Sequence, residues 1–472
     1  MQEQKDNLMN NKNRESFKNI VKFLESLCLL VCFTGIFAWY WYEKLNGLML
    51  RPYENKGNVL ILAVYLVILI LFLSVLGGFK IGVYRKASVA LSQAIAIVCT
   101  NAIICVVLML LISEIAYFGR IFQYMGIASA AQIIVSVFLI IIETAIFRKL
   151  YPPKNMLVMY EKKAPKHIIA KIQTREDKYH ITKTLLVDEN WKERFEHMNE
   201  DIEAVMIYDI RAEIRNDILK YCFEKDIRTY SIPKISDILI RNASELNLFD
   251  TPILVSKNAE ISIEQRFLKR CMDIVISLAG IILSSPIILI TAIAIKIHDG
   301  GPVFFRQSRC TIDNKVYQII KFRSMITDAE KDGVARLATE NDDRITPIGH
   351  FIRKTRIDEI PQFFNVLKGD MSIVGPRPER PEIIAEYCEQ FPEFMYRTKV
   401  KAGLTGYAQV FGKYNTTSYD KLKWDLMYIE KFSIWLDLKL IIMTIKIVFM
   451  KESTEGLEEG KATANSNENE DE

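Results

Sequence analysis

Four nearly uncharged apolar runs, Phe23 to Tyr42, Val59 to Leu76, Val89 to Ile112 and Phe122 to Phe147, crowd the first third of this chain. Each is long enough to cross a bilayer as a helix. A soluble core has no room for four such runs in succession, so the fold must be built around a membrane. Half of the 472 residues are apolar, the excess that such runs produce. The flanking charges set the orientation. Lys5, Lys12, Arg14, Lys18 and Lys22 precede the first run, Lys80, Arg85 and Lys86 lie between the second and third, and Arg148, Lys149 and Lys154 follow the fourth. The first and third loops mix basic with acidic residues. By the positive-inside rule the N-terminal tail, residues 1–20, is cytoplasmic, and four helices over residues 21–150 return the chain to the cytoplasm. A cleavable signal peptide does not fit, because the first run starts after about 20 polar residues and is as long as a span.

A fifth apolar stretch, Ile274 to Ile295, carries Ser284-Ser285-Pro286 at its middle. Lys269 and Arg270 precede it and Lys296 follows, so both ends carry the cytoplasmic signature. Pro286 lacks a backbone donor and clashes with the preceding turn, and the serines can bond to freed carbonyls, so a sharp break is expected at Ser285 and Pro286. The expected result is a helix-turn-helix hairpin over residues 267–298, re-entering the leaflet from which it came. The competing reading is a kinked fifth span.

Residues 151–260 alternate in the manner of a small α/β domain. Met156 to Tyr160, Glu203 to Ile210, Arg228 to Ile232 and Thr251 to Val255 read as strands, and Ala212 to Lys225 as a helix. A parallel, doubly wound, Rossmann-like sheet is expected. The chain has no glycine between Gly126 and Gly280, which removes the tight backbone approach to a pyrophosphate that a dinucleotide site uses. The domain therefore reads as degenerate, with a structural, dimerising or regulatory role.

The eight cysteines are scattered, without a CxxC pair, which argues against a disulfide framework or zinc site. The net charge of +4 is small, and basic residues follow membrane flanks rather than an aromatic-studded stripe, so no nucleic-acid partner is expected.

Residues 265–450 hold the chemistry. Lys321-Phe322-Arg323-Ser324-Met325, Arg353-Lys354-Thr355-Arg356-Ile357-Asp358-Glu359-Ile360-Pro361-Gln362, Gly375-Pro376-Arg377-Pro378-Glu379 and Gly403-Leu404-Thr405-Gly406 follow one another. They gather Lys321, Arg323, Arg353, Arg356 and Arg377 around one carboxylate pair, a positive field suited to a diphosphate. Asp358 and Glu359 read either as a holder of a hard divalent cation, as a nucleophilic carboxylate, or as a solvated acidic turn.

The order of these motifs after a Ser-Pro break resembles the bacterial sugar transferase family of polyprenyl-phosphate hexose-1-phosphate transferases. The whole arrangement is similar to its large subgroup: four transmembrane helices, a Rossmann-like insert, and a mixed α/β catalytic domain anchored by a re-entrant hairpin. The resemblance implies transfer of a sugar-1-phosphate from a UDP-sugar to undecaprenyl phosphate with release of UMP. It implies Mg²⁺ as cofactor, a multi-pass protein of the bacterial cell membrane with a cytoplasmic catalytic domain, and a first membrane step of exopolysaccharide, capsule or O-antigen synthesis. Carried onto this chain, Asp358 is the nucleophile and Glu359 a Mg²⁺ ligand, with Asp358 able to share the metal. Lys321, Arg323, Arg353, Arg377 and Lys413 fall at phosphate-binding positions, and Pro376 and Pro378 on the uridine side. The large subgroup also admits a homodimer, which no feature of the sequence encodes. A catalytically inactive membrane scaffold of a polysaccharide assembly complex is the alternative from another class. Ala402 and Lys413 depart from the family's usual proline and arginine, and lysine loses the planar fork of a bidentate phosphate contact.

Outside these motifs, His298-Asp299 reads as an interfacial structural pair, and Trp424, Tyr428 and Trp435 as interface anchors. Trp435 to Met450, with Lys439 and Lys446 on one face, reads as a helix in the headgroup plane. The acidic tail, 451–472, reads as disordered.

Overall fold

The structure, a computed structural model, describes residues 2–49, 51–112, 114–162, 164–198, 202–256, 261–327, 342, 344–412 and 416–448, without the side chains of residues 2–16 and 167. Lys413 and the acidic tail lie outside the described residues. The chain divides into two compact units, Met1–Ile232 and Pro233–Glu472.

The first unit opens with α1 (Gln2–Tyr40), α2 (Lys56–Leu76), α3 (Lys86–Ile112) and α4 (Phe118–Leu150). All four contain stretches long and apolar enough to cross a membrane. Polar side chains in such helices must find protein partners, since lipid offers none. Gln132 of α4 does so for the whole group. Its Nε2 donates to Tyr65 Oη of α2 (2.7 Å) and to the Phe33 carbonyl of α1 (2.9 Å), while its Oε1 accepts from Asn101 of α3 (2.8 Å). Ser136 donates to Gln93 (2.6 Å), adding a second α3–α4 tie.

The same unit carries β1 (Lys154–Tyr160), α5 (Lys166–Gln173), β2 (Tyr179–Leu186), α6 (Trp191–Glu196), β3 (Ala204–Tyr208), α7 (Ala212–Glu224) and β4 (Arg228–Ser231). The strands form one sheet in the order β2-β1-β3-β4, every neighbouring pair parallel. Its core is Leu157, Met159, Val205, Ile207 and Ile218 packed on Trp191, Phe195 and Tyr221. Sequence pattern passed over β2, because it is an edge strand burying only Leu185 among its eight residues. At the carboxyl end of β1, where a dinucleotide-binding fold places its glycine turn, the Glu161 carboxylate accepts from the Arg211 backbone N–H (2.7 Å) and pairs with the Arg211 side chain.

Thr251 to Val255 is a strand, but it does not join this sheet. It is β6 (Thr251–Val255), antiparallel to β5 (Ser244–Leu248), in the second unit. The preceding α8 (Ile235–Arg241) sends Ile235 and Ile238 into the second unit's core, so the middle domain ends near Ile232 rather than at residue 260.

The rest of the second unit comprises α9 (Ile263–Asp299), the antiparallel pair β7 (Phe304–Cys310) and β8 (Val316–Phe322), α10 (Pro347–Lys354), α11 (Gln362–Lys368), β9 (Ser372–Val374), α12 (Pro381–Gln390), β10 (Gly403–Thr405), α13 (Tyr407–Phe411), α14 (Ser418–Glu430) and α15 (Ile434–Val448). Val366, Met371, Val374, Phe394, Leu422, Leu426, Tyr428 and Leu440 form the heart of its core.

The turn expected inside the hairpin is absent: α9 is helical over all 37 residues, Pro286 included. The reason is local. Proline deprives the carbonyl four residues back, that of Ile282, of its helical donor, and the Ser285 hydroxyl donates to that carbonyl at 2.8 Å. Ser284 donates likewise to the Gly280 carbonyl at 2.6 Å. Residues on both sides of Pro286 nevertheless pack on the same α/β body. Lys269 donates to the Val374 carbonyl (2.9 Å) and Asp437 (2.6 Å), and Asp273 accepts from the Ile373 N–H (2.9 Å). Beyond the proline, Ile288, Ala292 and Ile295 pack with Phe322 and Ile352.

Two further expectations change. Tyr428 is buried, donating to Asp437 (2.9 Å), and Trp424 stacks on Tyr407 and Phe411, so of the three proposed anchors only Trp435 is exposed. Helix α15 buries Asp437, Leu440, Met443 and Lys446 and exposes Trp435, Leu438, Ile445 and Val448. Its lysine face is therefore not a polar outer face, because Lys446 has turned into the protein. Asp299 does serve structurally, holding the Arg323 guanidinium through both carboxylate oxygens.

Candidate active site

Helix α10 starts on the Thr346 hydroxyl, which accepts from the Gly349 N–H (2.9 Å), and ends where Arg356 enters the left-handed region at φ 59°. A non-glycine residue held there is costly, on the order of 1 kcal/mol or more. The reversal starts a short 3-10 turn, Ile357–Glu359, that presents two adjacent carboxylates before Pro361 begins α11.

Three elements converge on Glu359. Its Oε1 lies 3.3 Å from Lys321 Nζ on β8, 3.1 Å from Arg377 Nη2 in the loop after β9, and 3.7 Å from Arg356. Burial opposes its ionisation, but Lys321, Arg377 and Arg356 outweigh that and hold the carboxyl well below the usual range. Asp358 has the opposite fate. Burial first, and then the negative charge of Glu359, push its carboxyl up, against the pull of Lys321, Arg356 and Arg353. Its Oδ1 is buried without a hydrogen-bond partner among the described residues. Buried polar atoms are rarely left so, and a lone pair aimed at no protein donor is available to a ligand.

The supports come from residues that sequence reasoning missed. Asn365 of α11 accepts from the Ile320 N–H (2.9 Å) and donates to the Gln318 carbonyl (2.7 Å), fixing β8, and hence Lys321, beside the turn. Arg397, nearly buried, donates to the Arg377 carbonyl (2.9 Å) and pairs with buried Asp425 (2.8 Å). The loop itself is pinned by glycines. A Cβ on Gly375 would lie 2.2 Å from the Lys401 carbonyl oxygen, one on Gly403 2.0 Å from the Gly375 nitrogen, and one on Gly406 2.1 Å from the Gly375 carbonyl oxygen. The Gly-Leu-Thr-Gly motif is thus the bed on which Gly375-Pro376-Arg377 lies. Neither Asn365 nor Arg397 carries a local sequence signal, since these partners are about twenty or more residues away.

Of the residues expected at the site, the structure brings together Asp358, Glu359, Lys321 and Arg377, with the Arg353 charge acting on Asp358. Pro376 and Pro378 are buried, and Pro376 lines a small cleft with Arg377, Glu379 and Arg397. Arg323 is engaged away from the carboxylate pair: its Nη atoms hold Asp299 and its Nε donates to the Pro302 carbonyl (2.7 Å). Strand β8 ends at Phe322, so Arg323 does not continue the alternation that aims Lys321. Lys413 lies outside the described residues, and Ser285 and Pro286 are mid-helix in α9.

No group of three or more His, Cys, Asp or Glu suited to a metal occurs among the described residues. Mg²⁺ does not need one, because it keeps waters and is held by one or two carboxylates plus substrate phosphates. The Asp358 and Glu359 carboxylates, adjacent and within the cationic shell, fit a metal that arrives with a diphosphate.

The site is a buried carboxylate pair in a cationic shell, on a domain carrying a helix long and apolar enough to cross a membrane. Residues 264–451 match the model of the bacterial sugar transferase family. Among its relatives is the UDP-N-acetylgalactosamine-undecaprenyl-phosphate N-acetylgalactosaminephosphotransferase of Aeromonas hydrophila, 38% identical over 52% of this chain and 60% of the relative. The UDP-glucose:undecaprenyl-phosphate glucose-1-phosphate transferase of Escherichia coli K12 is 35% identical over 57% and 60%. The undecaprenyl-phosphate galactose phosphotransferase of Salmonella typhimurium is 38% identical over 40% and 41%. The chain spans less than two thirds of the length of each.

Proposed function

We propose that the protein transfers a sugar-1-phosphate from a UDP-sugar to undecaprenyl phosphate, the reaction class its relatives' names carry. The observation that carries this reading is the unpartnered, buried Oδ1 of Asp358 beside a glutamate ringed by three cations. That oxygen attacks the β-phosphorus of the donor. The bond from this phosphorus to the bridging oxygen breaks, UMP leaves with the electron pair, and the sugar phosphate remains as an acyl phosphate on Asp358. An oxygen of the lipid phosphate then attacks the same phosphorus and the carboxylate is released, a ping-pong sequence. Lys321, Arg356 and Arg377 hold the diphosphate and compensate the charge that develops on the leaving oxygen. Bound by Glu359 and Asp358, Mg²⁺ would supply further neutralisation of the diphosphate.

The lipid substrate requires Asp358 at a membrane surface. Support for a domain seated on one face comes from α9, whose halves on either side of Pro286 pack on one body, a poor fit to a helix with its ends on opposite sides of a bilayer. With the charge pattern of the first four helices, this favours a multi-pass protein whose catalytic domain faces the cytoplasm, where nucleotide sugars are made. The relatives use N-acetylgalactosamine, glucose and galactose donors, so a donor panel is the assay that assigns the sugar.

Asp358→Asn removes the nucleophilic charge while keeping shape. Transfer of labelled sugar phosphate into lipid should fall at least about a thousandfold, as for loss of a covalent nucleophile. Undiminished transfer would sink the mechanism, and absence of transfer in the unaltered protein across the donor panel would favour the inactive scaffold.

A further inference from the structure

A second cationic recess, in the first unit and unrelated to Asp358, lies where the apolar helices meet the β-sheet domain. It is a cavity of about 250 Å³ whose lining includes Arg85, Lys86, Phe147, Arg148 and Asp177. That is far above the roughly 10–15 Å³ that admits one water, so a phosphate ester fits. Helix α3 begins at Lys86, which puts the positive end of its dipole at the rim.

The one carboxylate in the lining is already neutralised. Asp177 accepts from Arg175 Nε (2.9 Å) and Nη2 (3.1 Å), and Arg175 Nη1 donates to the Val83 carbonyl (3.0 Å), fixing the pair against the α2–α3 loop. Neighbouring charge is positive too. The Lys178 ammonium is pushed down to about 8 by burial and then by Arg175, with Lys18 and Lys22 adding to the effect. Lys18 sits 5.8 Å from the centroid of the Phe147 ring, which lines the cavity. Among the described residues, Arg85, Lys86 and Arg148 therefore line a recess whose one carboxylate is already paired.

We propose that this cavity binds a phosphate group, supplied by the headgroup of an anionic phospholipid. The place favours that source over a soluble anion. Phe147 closes the apolar run of α4 and Lys86 opens that of α3, so the cavity lies at the polar ends of helices that carry apolar spans, the level of headgroup phosphates. Basic pockets between helix ends are suited to such headgroups.

The test uses the full chain. In nanodiscs of phosphatidylcholine containing a minority of phosphatidylglycerol, native mass spectrometry should show phosphatidylglycerol retained. Retention should fall about tenfold in Lys86→Ala/Arg148→Ala and stay unchanged in Lys149→Ala, an exposed neighbour outside the lining. In a parallel arm, inorganic phosphate is titrated into protein in a phosphate-free maltoside detergent and followed by phosphorus NMR. Saturable uptake there, lost in the same double variant, with no lipid retained in the first arm, would support the phosphate chemistry and overturn the headgroup as its source. Equal losses in the double variant and Lys149→Ala, or no saturable binding in either arm, would overturn the site and leave a diffuse surface charge. All three side chains are exposed, and an unchanged melting temperature checks that the variants fold.

Discussion

Asp358 and Glu359 are adjacent in sequence and opposite in electrostatic fate. Glu359 takes the cations and stays charged, while Asp358 is left buried beside a like charge with its carboxyl raised. As the proposed nucleophile, Asp358 must be ionised, so transfer should be lost as pH falls through its raised value, at higher pH than an ordinary aspartate near about 3.9 would dictate. Lys321 pulls that value down. Lys321→Gln should therefore move the acid limb of the kcat/KM profile to higher pH as well as weaken donor binding. An acid limb that stays put would show that Asp358 does not set it. At this scale the sequence was legible in its contiguous motifs, with one exception: Asp358, Glu359, Lys321 and Arg377 meet as their motifs imply. Arg323, two residues from Lys321, did not follow, because the strand that would have aimed it ends first. Asn365 and Arg397 were invisible, since their roles depend on partners brought in by folding.

Among the elements, the long apolar helices declared themselves through hydropathy, and β1, β3, β4 and α7 through periodicity. Edge strand β2 did not, having almost no buried face. Helix α9 is the instructive case. Proline and serines were read together as a turn, yet Ser285 satisfies the carbonyl that proline strands and the helix continues. This makes a double-mutant cycle diagnostic. Ser285→Ala alone leaves the Ile282 carbonyl unpaired and should cost about 1 kcal/mol. Adding Pro286→Ala restores the helical N–H to that carbonyl, so the serine's loss should then cost little. Thermal denaturation of the four proteins in detergent reads the coupling, and additive losses would show that Ser285 does not serve the proline.

For the molecule as a whole, the question is which side of the membrane each end of α9 occupies. Phe267 and Ile297, near its two ends, are both exposed. In a background stripped of its eight cysteines, single cysteines at these positions should both react with an impermeant maleimide from the same face of sealed vesicles. Labelling from opposite faces would make α9 a span and contradict a one-sided domain. The charges flanking this helix were less informative than they looked. Lys269 is engaged with Val374 and Asp437, and Arg270 donates to the Val366 and Leu367 carbonyls at the end of α11, so both have work inside the fold beyond any topological signal.

That same Lys269 links the apolar helix to Val374, the last residue of β9, one position before the glycine that starts the Arg377 loop. Asp273, a turn further along α9, grips Ile373 and Ser372 of the same strand. The helix and the loop are thus coupled like a keel and its rudder post, and a tilt of one is a tilt of the other. Lipid thickness then becomes a variable of the chemistry: transfer should pass through an optimum as acyl chains are lengthened in reconstituted bilayers. A flat response would mean that the helix floats free of the loop it holds.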